Sequence, residues 1–249
     1  MKRGYIAING IIIKQIRYRE TDAILTVLTE DRGVIRIFCR GGKKLNSSLI
    51  SSTEPLTYGK FTVYQNKDAY NLESFKGKEL FFALRNDFEK ISLAYYLCEI
   101  AADTAPADES SADNLKLLLN TLFVLSEKQK SKTTVKAVFE LKLCAILGFA
   151  PNLTCCDDCG KFETEYMFLS IENGILYCMN CKNDMADKIP IPVVQAMRHI
   201  LYSSLNKAFN FTLGSENARI LENKVEKYFL FHSGLVPKTL DYYKKIMGK

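Results

Sequence analysis

Apolar and polar positions alternate along the first third of the chain and then change period. Period-two or continuous apolar runs recur at 5–16, 24–29, 34–40, 61–64 and 69–75, the signature of half-buried strands. Turn-forming clusters separate them at Arg19–Asp22, Glu30–Gly33 and Gln65–Asp68. A polar stretch rich in Gly, Ser and Lys, Gly41–Pro55, parts the third run from the fourth. Five short strands with one long internal loop suit a small closed barrel. An OB-type barrel, which binds oligonucleotides on its strand 2–3 face, and an SH3-like barrel both fit.

From residue 79 the period is helical. Leu80, Leu84, Phe88, Ile91, Tyr95 and Cys98 step by threes and fours, which predicts one face of a long helix. Asp113 suits the cap of a second, and a third starts near Thr133 or Thr134 and stops at Gly148, with Pro151 barring continuation. Pro190 and Pro192 suit another helix start. Further helices are predicted over 216–231 and from Thr239. The fold class is α+β: an N-terminal five-stranded barrel, OB-type or SH3-like, over 1–78, then a helical domain over 79–249 with a cysteine-bearing segment, 154–185, inserted within it.

That segment carries the most specific chemistry. Cys156-x2-Cys159 and Cys178-x2-Cys181 stand 18 residues apart, inside the window for a zinc site made of two cysteine knuckles. Each knuckle aims two sulfurs at one point, and two knuckles complete a tetrahedron. The linker supports this, because Phe168–Ser170 and Ile175–Tyr177 flank Glu172-Asn173-Gly174, an Asn-Gly hairpin turn. Cys155 offers an alternative register through C-x3-C, and Cys156 is preferred. Cys39, Cys98 and Cys144 lie in apolar runs as small core residues. Four thiolates close the shell around one structural Zn2+ and leave no position for a reacting water. The two histidines, His199 and His232, stand alone, no phosphate loop or nucleophile set is recognisable, and no catalytic residue is assigned.

Charge narrows the search further. The formal net charge is +6, and residues 1–80 hold 14 Lys/Arg against 8 Asp/Glu, while the rest of the chain holds 20 of each. The whole surplus thus lies on the barrel, where it favours a polyanion. In Val34–Arg40, alternation sends Ile35, Ile37 and Cys39 one way and Arg36, Phe38 and Arg40 the other. Two arginines bracketing an aromatic ring can neutralise phosphates and stack a base. The other reading packs Phe38 beneath the helices. Lys43 and Lys44 form a basic loop beside that face, and Lys14, Arg17 and Arg19 flank it. No apolar run approaches a membrane span. The start lacks a cleavable signal, so a reducing, cytoplasmic setting is expected.

Several stretches together resemble the DNA repair protein RecO family of bacterial recombination mediators. They begin with Ile12–Asp22 and Leu25–Gly33, then Arg40-Gly41-Gly42-Lys43-Lys44 with its serine loop. Glu79-Leu80-Phe81, Ala94–Ile100 and Phe139–Leu143 follow, and Leu147-Gly148-Phe149-Ala150-Pro151 leads to Cys156-x2-Cys159-Gly160. The resemblance implies an OB-fold, a helical domain, an inserted four-cysteine zinc site and a non-catalytic activity. Such proteins bind single- and double-stranded DNA, anneal complementary strands, engage the acidic tail of single-stranded DNA-binding protein, and with RecR help load RecA. The competing readings are a zinc-ribbon adapter with an incidental basic surface, and a nuclease, which would need clustered carboxylates and a divalent metal.

Overall fold

The computed structural model describes residues 4–18, 22–40, 53–66, 69–127, 129–182 and 184–248. Five strands open the chain: β1 (Gly4–Arg17), β2 (Ala23–Thr29), β3 (Val34–Cys39), β4 (Tyr58–Asn66) and β5 (Ala69–Glu79). They close in the order β1-β2-β3-β5-β4. All pairs are antiparallel except β3 with β5, which run parallel. This is the OB-type barrel. Its interior is filled by Ile8, Ile12, Leu25, Val27, Ile35, Ile37, Phe61 and Val63, and the rings of Phe61 and Phe75 meet at 4.6 Å. Burying side chains of this size contributes about 1.5–3 kcal/mol each.

Closure requires bare backbone at two points. A Cβ on Gly10 would lie 2.6 Å from Val27 Cγ1, and one on Gly59 would lie 2.4 Å from the Lys76 carbonyl oxygen. These two glycines face each other across β1 and β4. The strands therefore coil more tightly there than side chains would allow.

Among the described residues seven helices follow: α1 (Phe82–Arg85), α2 (Phe88–Asp103), α3 (Ala112–Glu127), α4 (Lys132–Ile146), α5 (Ile191–Tyr202), α6 (Ser215–Ser233) and α7 (Lys238–Ile246). The single long helix expected from Leu80 to Cys98 is not formed. Strand β5 runs on to Glu79, and Asp87 interrupts the helix by accepting hydrogen bonds from the amides of Glu89 and Lys90, which caps a new start. The apolar stripe is broken accordingly: Leu84 and Cys98 are buried, but Phe88 is 82% exposed. Ser131 caps α4 through the Thr134 amide.

Between α4 and α5 lie four strands, β6 (Asn152–Cys156), β7 (Tyr166–Ser170), β8 (Ile175–Cys178) and β9 (Asp187–Pro190), in the order β6-β8-β7-β9. The expected hairpin is β7–β8. Gly174 turns it with φ 67°, where a side chain would also strike the Tyr228 hydroxyl at 2.7 Å.

Compactness divides the chain elsewhere than periodicity does. One unit is Met1–Ser126 with Thr239–Lys249, and the other is Glu127–Lys238. In the first, α7 returns to α2: Tyr243 stacks on Tyr96 at 6.4 Å, and the Thr239 amide donates to Glu99 at 2.8 Å. In the second, buried Lys136 of α4 bonds Glu140 at 2.6 Å and Glu226 of α6 at 2.7 Å. Burial alone would push the lysine toward neutrality, but the two carboxylates outweigh it and raise its pKa. No described helix is long and apolar enough to cross a membrane.

Candidate nucleic-acid interface and metal centre

The β3 alternation is as expected, with Ile35, Ile37 and Cys39 buried and Arg36 and Phe38 outside. Register then gathers residues that are distant in sequence. Lys14 of β1 pairs with Thr26 of β2, which pairs with Arg36, so one outer row reads Lys14–Thr26–Arg36. The next row reads Ile16–Ile24–Phe38. Ile16 is 45% and Phe38 38% exposed, so the phenylalanine ring stays out of the barrel core. A basic row beside an apolar one is therefore built from three neighbouring strands.

A bulge decides which basic residues of β1 belong there. Between Ile12 and Lys14 the register shifts, leaving Ile13 as an extra residue, and the side-chain alternation inverts. Lys14 and Ile16 consequently face out with Arg36 and Phe38. Arg17 pairs with Ala23, which pairs with Cys39, and both partners are buried. It therefore projects from the opposite side of the strand to Lys14. Of the remaining expected residues, Arg40 is exposed just past β3, while Arg19, Lys43 and Lys44 lie outside the described residues. Arg40, Phe38, Tyr18, Asp22 and Ile24 line a cavity of ≈ 440 Å³ at this end of the sheet.

Three lysines were absent from the expected site. Lys60 of β4 pairs directly with Lys76 of β5, and Lys78 donates to the Asn9 side chain at 3.3 Å. The alternation Lys60–Thr62–Tyr64 carried the clue, since those side chains share one face of a strand.

The four cysteines converge. The Sγ atoms of Cys156, Cys159, Cys178 and Cys181 all lie within 4.8 Å of one another, the one such ligand group among the described residues. Cys159 and Cys178 are 3.7 Å apart, and tetrahedral Zn–S bonds of ~2.3 Å place sulfurs about 3.8 Å apart. The donor set thus fits a tetrahedral thiophilic cation. Cys156 and Cys178 end β6 and β8. The first knuckle is closed by the Gly160 amide on the Cys156 carbonyl at 2.9 Å, and the second by the Cys181 amide on Cys178 at 3.2 Å.

Burial opposes ionisation of Cys156, but the amides of Cys159, Cys178 and Asp158 outweigh it and bring the thiol to about 7. Cys181 moves to about 12, because hydrogen bonding with Cys178 and Cys159 holds its proton. Four sulfurs this close cannot all ionise unaided, and a bound dication would supply the missing charge.

Arg198 of α5 secures the first knuckle strand. It donates to the carbonyls of Leu153 at 2.6 Å, Thr154 at 3.1 Å and Phe162 at 3.0 Å, and to Glu163 at 2.7 Å. Nothing in its local sequence announces this role. The histidines lie apart from the cysteine group: His199 donates to the Lys207 carbonyl at 2.9 Å and His232 to the Ile171 carbonyl at 2.8 Å.

Comparison with known proteins decides the family. The description "Recombination protein O N terminal" matches residues 1–81, and "Recombination protein O C terminal" matches residues 85–241. The chain belongs to the RecO family. It is similar to the DNA repair protein RecO of Acetivibrio thermocellus, at 29% identity over 97% of this chain and 99% of that one. The RecO of Caldicellulosiruptor bescii is 31% identical over 97% and 98%, and that of Bacillus pumilus 26% over 96% of each. The OB-type barrel and the helices are thus those of a RecO-family DNA repair protein.

Proposed function

We propose that this RecO-family protein is a non-catalytic recombination mediator that binds single- and double-stranded DNA on the outer face of β1–β2–β3 and anneals complementary strands. The observation that carries the reading is the pair of adjacent rows, Lys14–Thr26–Arg36 and Ile16–Ile24–Phe38. Lys14 and Arg36 are exposed, and neither has an ion-pair partner among the described residues, so both charges are available to phosphates. Phe38 offers a ring to a base, and Arg40 extends the basic edge. Arg17, on the other side of its strand, takes no part in this face. Family membership favours work with RecR, RecA and the acidic tail of single-stranded DNA-binding protein, in the cytoplasm at the nucleoid. The cysteine site is read as one structural Zn2+ that braces the β6–β9 sheet.

The test uses two complementary oligonucleotides coated with single-stranded DNA-binding protein, with annealing followed by fluorescence across a salt series. Acceleration that fades with salt is the expected result, because phosphate contacts release counterions. A folded, metal-loaded protein that gives no acceleration would leave the adapter reading, in which the ribbon docks another protein and the basic rows are incidental.

A further inference from the structure

The β1–β4–β5 side of the barrel carries positive charge that no carboxylate among the described residues neutralises. Lys60 and Lys76 are both exposed and sit directly opposite one another, where Cβ atoms are about 4.5–5.5 Å apart and like charges destabilise the sheet. Neither has a hydrogen-bond or ion-pair partner among the described residues. Lys78 adds a third cation, held by Asn9 at 3.3 Å and lying 5.6 Å from the Tyr58 ring centroid. The carboxylates at the margins are otherwise engaged: Glu79 accepts the amides of Leu80 and Phe81, and Glu30 accepts from Asn9. Glu73 is exposed in the bulge further along β5.

Aromatic surface completes the face. Tyr64 follows Lys60 by four residues on the same side of β4, about 13 Å along the strand. Across the ladder, Tyr5 pairs with Tyr64 and meets it edge-on at 5.3 Å, while remaining 68% exposed. Unneutralised paired cations beside an exposed ring are the elements of a sequence-tolerant single-strand track. Glu30, beside Asn9, marks its border with β2.

We propose that the β1–β4–β5 face is a second single-stranded DNA site, holding the backbone on Lys60, Lys76 and Lys78 and a base against Tyr5 and Tyr64, while the first strand lies on β1–β2–β3. The inference rests on the reading given under Proposed function. One barrel then carries two strands at once, which raises their effective concentration for pairing.

The test is an equilibrium titration of the full chain with a short labelled oligothymidylate at low salt. The comparison is between wild type, Lys60→Ala/Lys76→Ala and Lys14→Ala/Arg36→Ala, with melting curves for each. Two oligonucleotides per wild-type chain are expected. Lys60→Ala/Lys76→Ala should lose the weaker site by more than tenfold, keep the stronger, and melt no lower than wild type, since a repulsion is removed. Two sites retained in that variant, or a wild-type stoichiometry of one, would overturn the second site while sparing the first, and loss of both sites together would overturn the division into two separate faces. No binding by wild type would sink both readings.

Discussion

The cysteine centre and the barrel face are specified in opposite ways. The centre is local: two short spacings and one hairpin bring four sulfurs within 4.8 Å, and each knuckle is closed by its own backbone hydrogen bond. The face is distributed: Lys14, Thr26 and Arg36 come from three strands and share a row only through register. A closed constellation can be read along the chain, because its geometry is set within a few residues. An open one depends on every turn and bulge between its members, and a single extra residue reassigns which charges belong to it.

Chelating the ion that the four cysteines are proposed to hold is the widest test of this contrast. Structural zinc supplies about 10–16 kcal/mol in small zinc-finger peptides, far more than the short strands β7 and β8 can replace. Chelation, or Cys178→Ser, should therefore expose the amides of β6 to β8 to hydrogen exchange. Those of Leu25 and Ile37, inside a barrel that owes nothing to the cysteines, should stay protected. Unchanged exchange across the ribbon would show that the cysteines are not a folding centre. Acid should act in the same direction, because the ligands must be deprotonated.

Next in size is charge reversal on the face. Lys14→Glu with Arg36→Glu should weaken single-stranded DNA binding on the order of a hundredfold at low salt. Removing two phosphate contacts should also flatten the salt slope by about 1.4. Arg17→Glu is the informative partner. It changes charge equally and lies only three residues from Lys14, yet strand alternation past the bulge puts it on the other side of β1. Its effect should be several-fold at most. Equal losses from Arg17 and Lys14 would mean that net charge, and not the row, attracts DNA.

These cases also show what the chain reveals unaided. The β3 alternation was legible because an uninterrupted strand has a period of two, and the zinc spacing because ligand geometry is local. The five-strand barrel followed from the same alternation. The inversion at Ile13 was not legible, since a bulge depends on what the partner strand offers. Nor was the pairing of Lys60 with Lys76, which needs the β4–β5 register, or the anchoring by Arg198, whose carbonyl partners lie more than 30 residues away. The broken first helix was misread because its spacing is helical throughout. Only the capping carboxylate of Asp87 distinguishes two helices from one.

A smaller effect is expected at the ring. Phe38 is 38% exposed, so Phe38→Ala should leave the melting temperature within about the change of a surface substitution, ~0.5 kcal/mol. Stacking is worth about 1–3 kcal/mol per base, so affinity for single strands should fall about tenfold, with the salt slope intact. A changed slope with unchanged affinity at low salt would separate the ring from the charges in the wrong sense.

The smallest expected effect is the sharpest about the ribbon. Cys155 adjoins Cys156 in β6, and neighbours on a strand point to opposite faces. The structure has Cys156 buried and among the four converging sulfurs, with Cys155 only partly buried and outside them. Cys155→Ser should therefore leave one metal per chain and an unchanged exchange pattern, whereas Cys156→Ser should abolish both. Should Cys155→Ser release the metal instead, the first knuckle would be using the longer C-x3-C spacing. The Gly160 amide would then close its turn on the wrong residue, and the local geometry that makes this centre readable along the chain would fail at its first step.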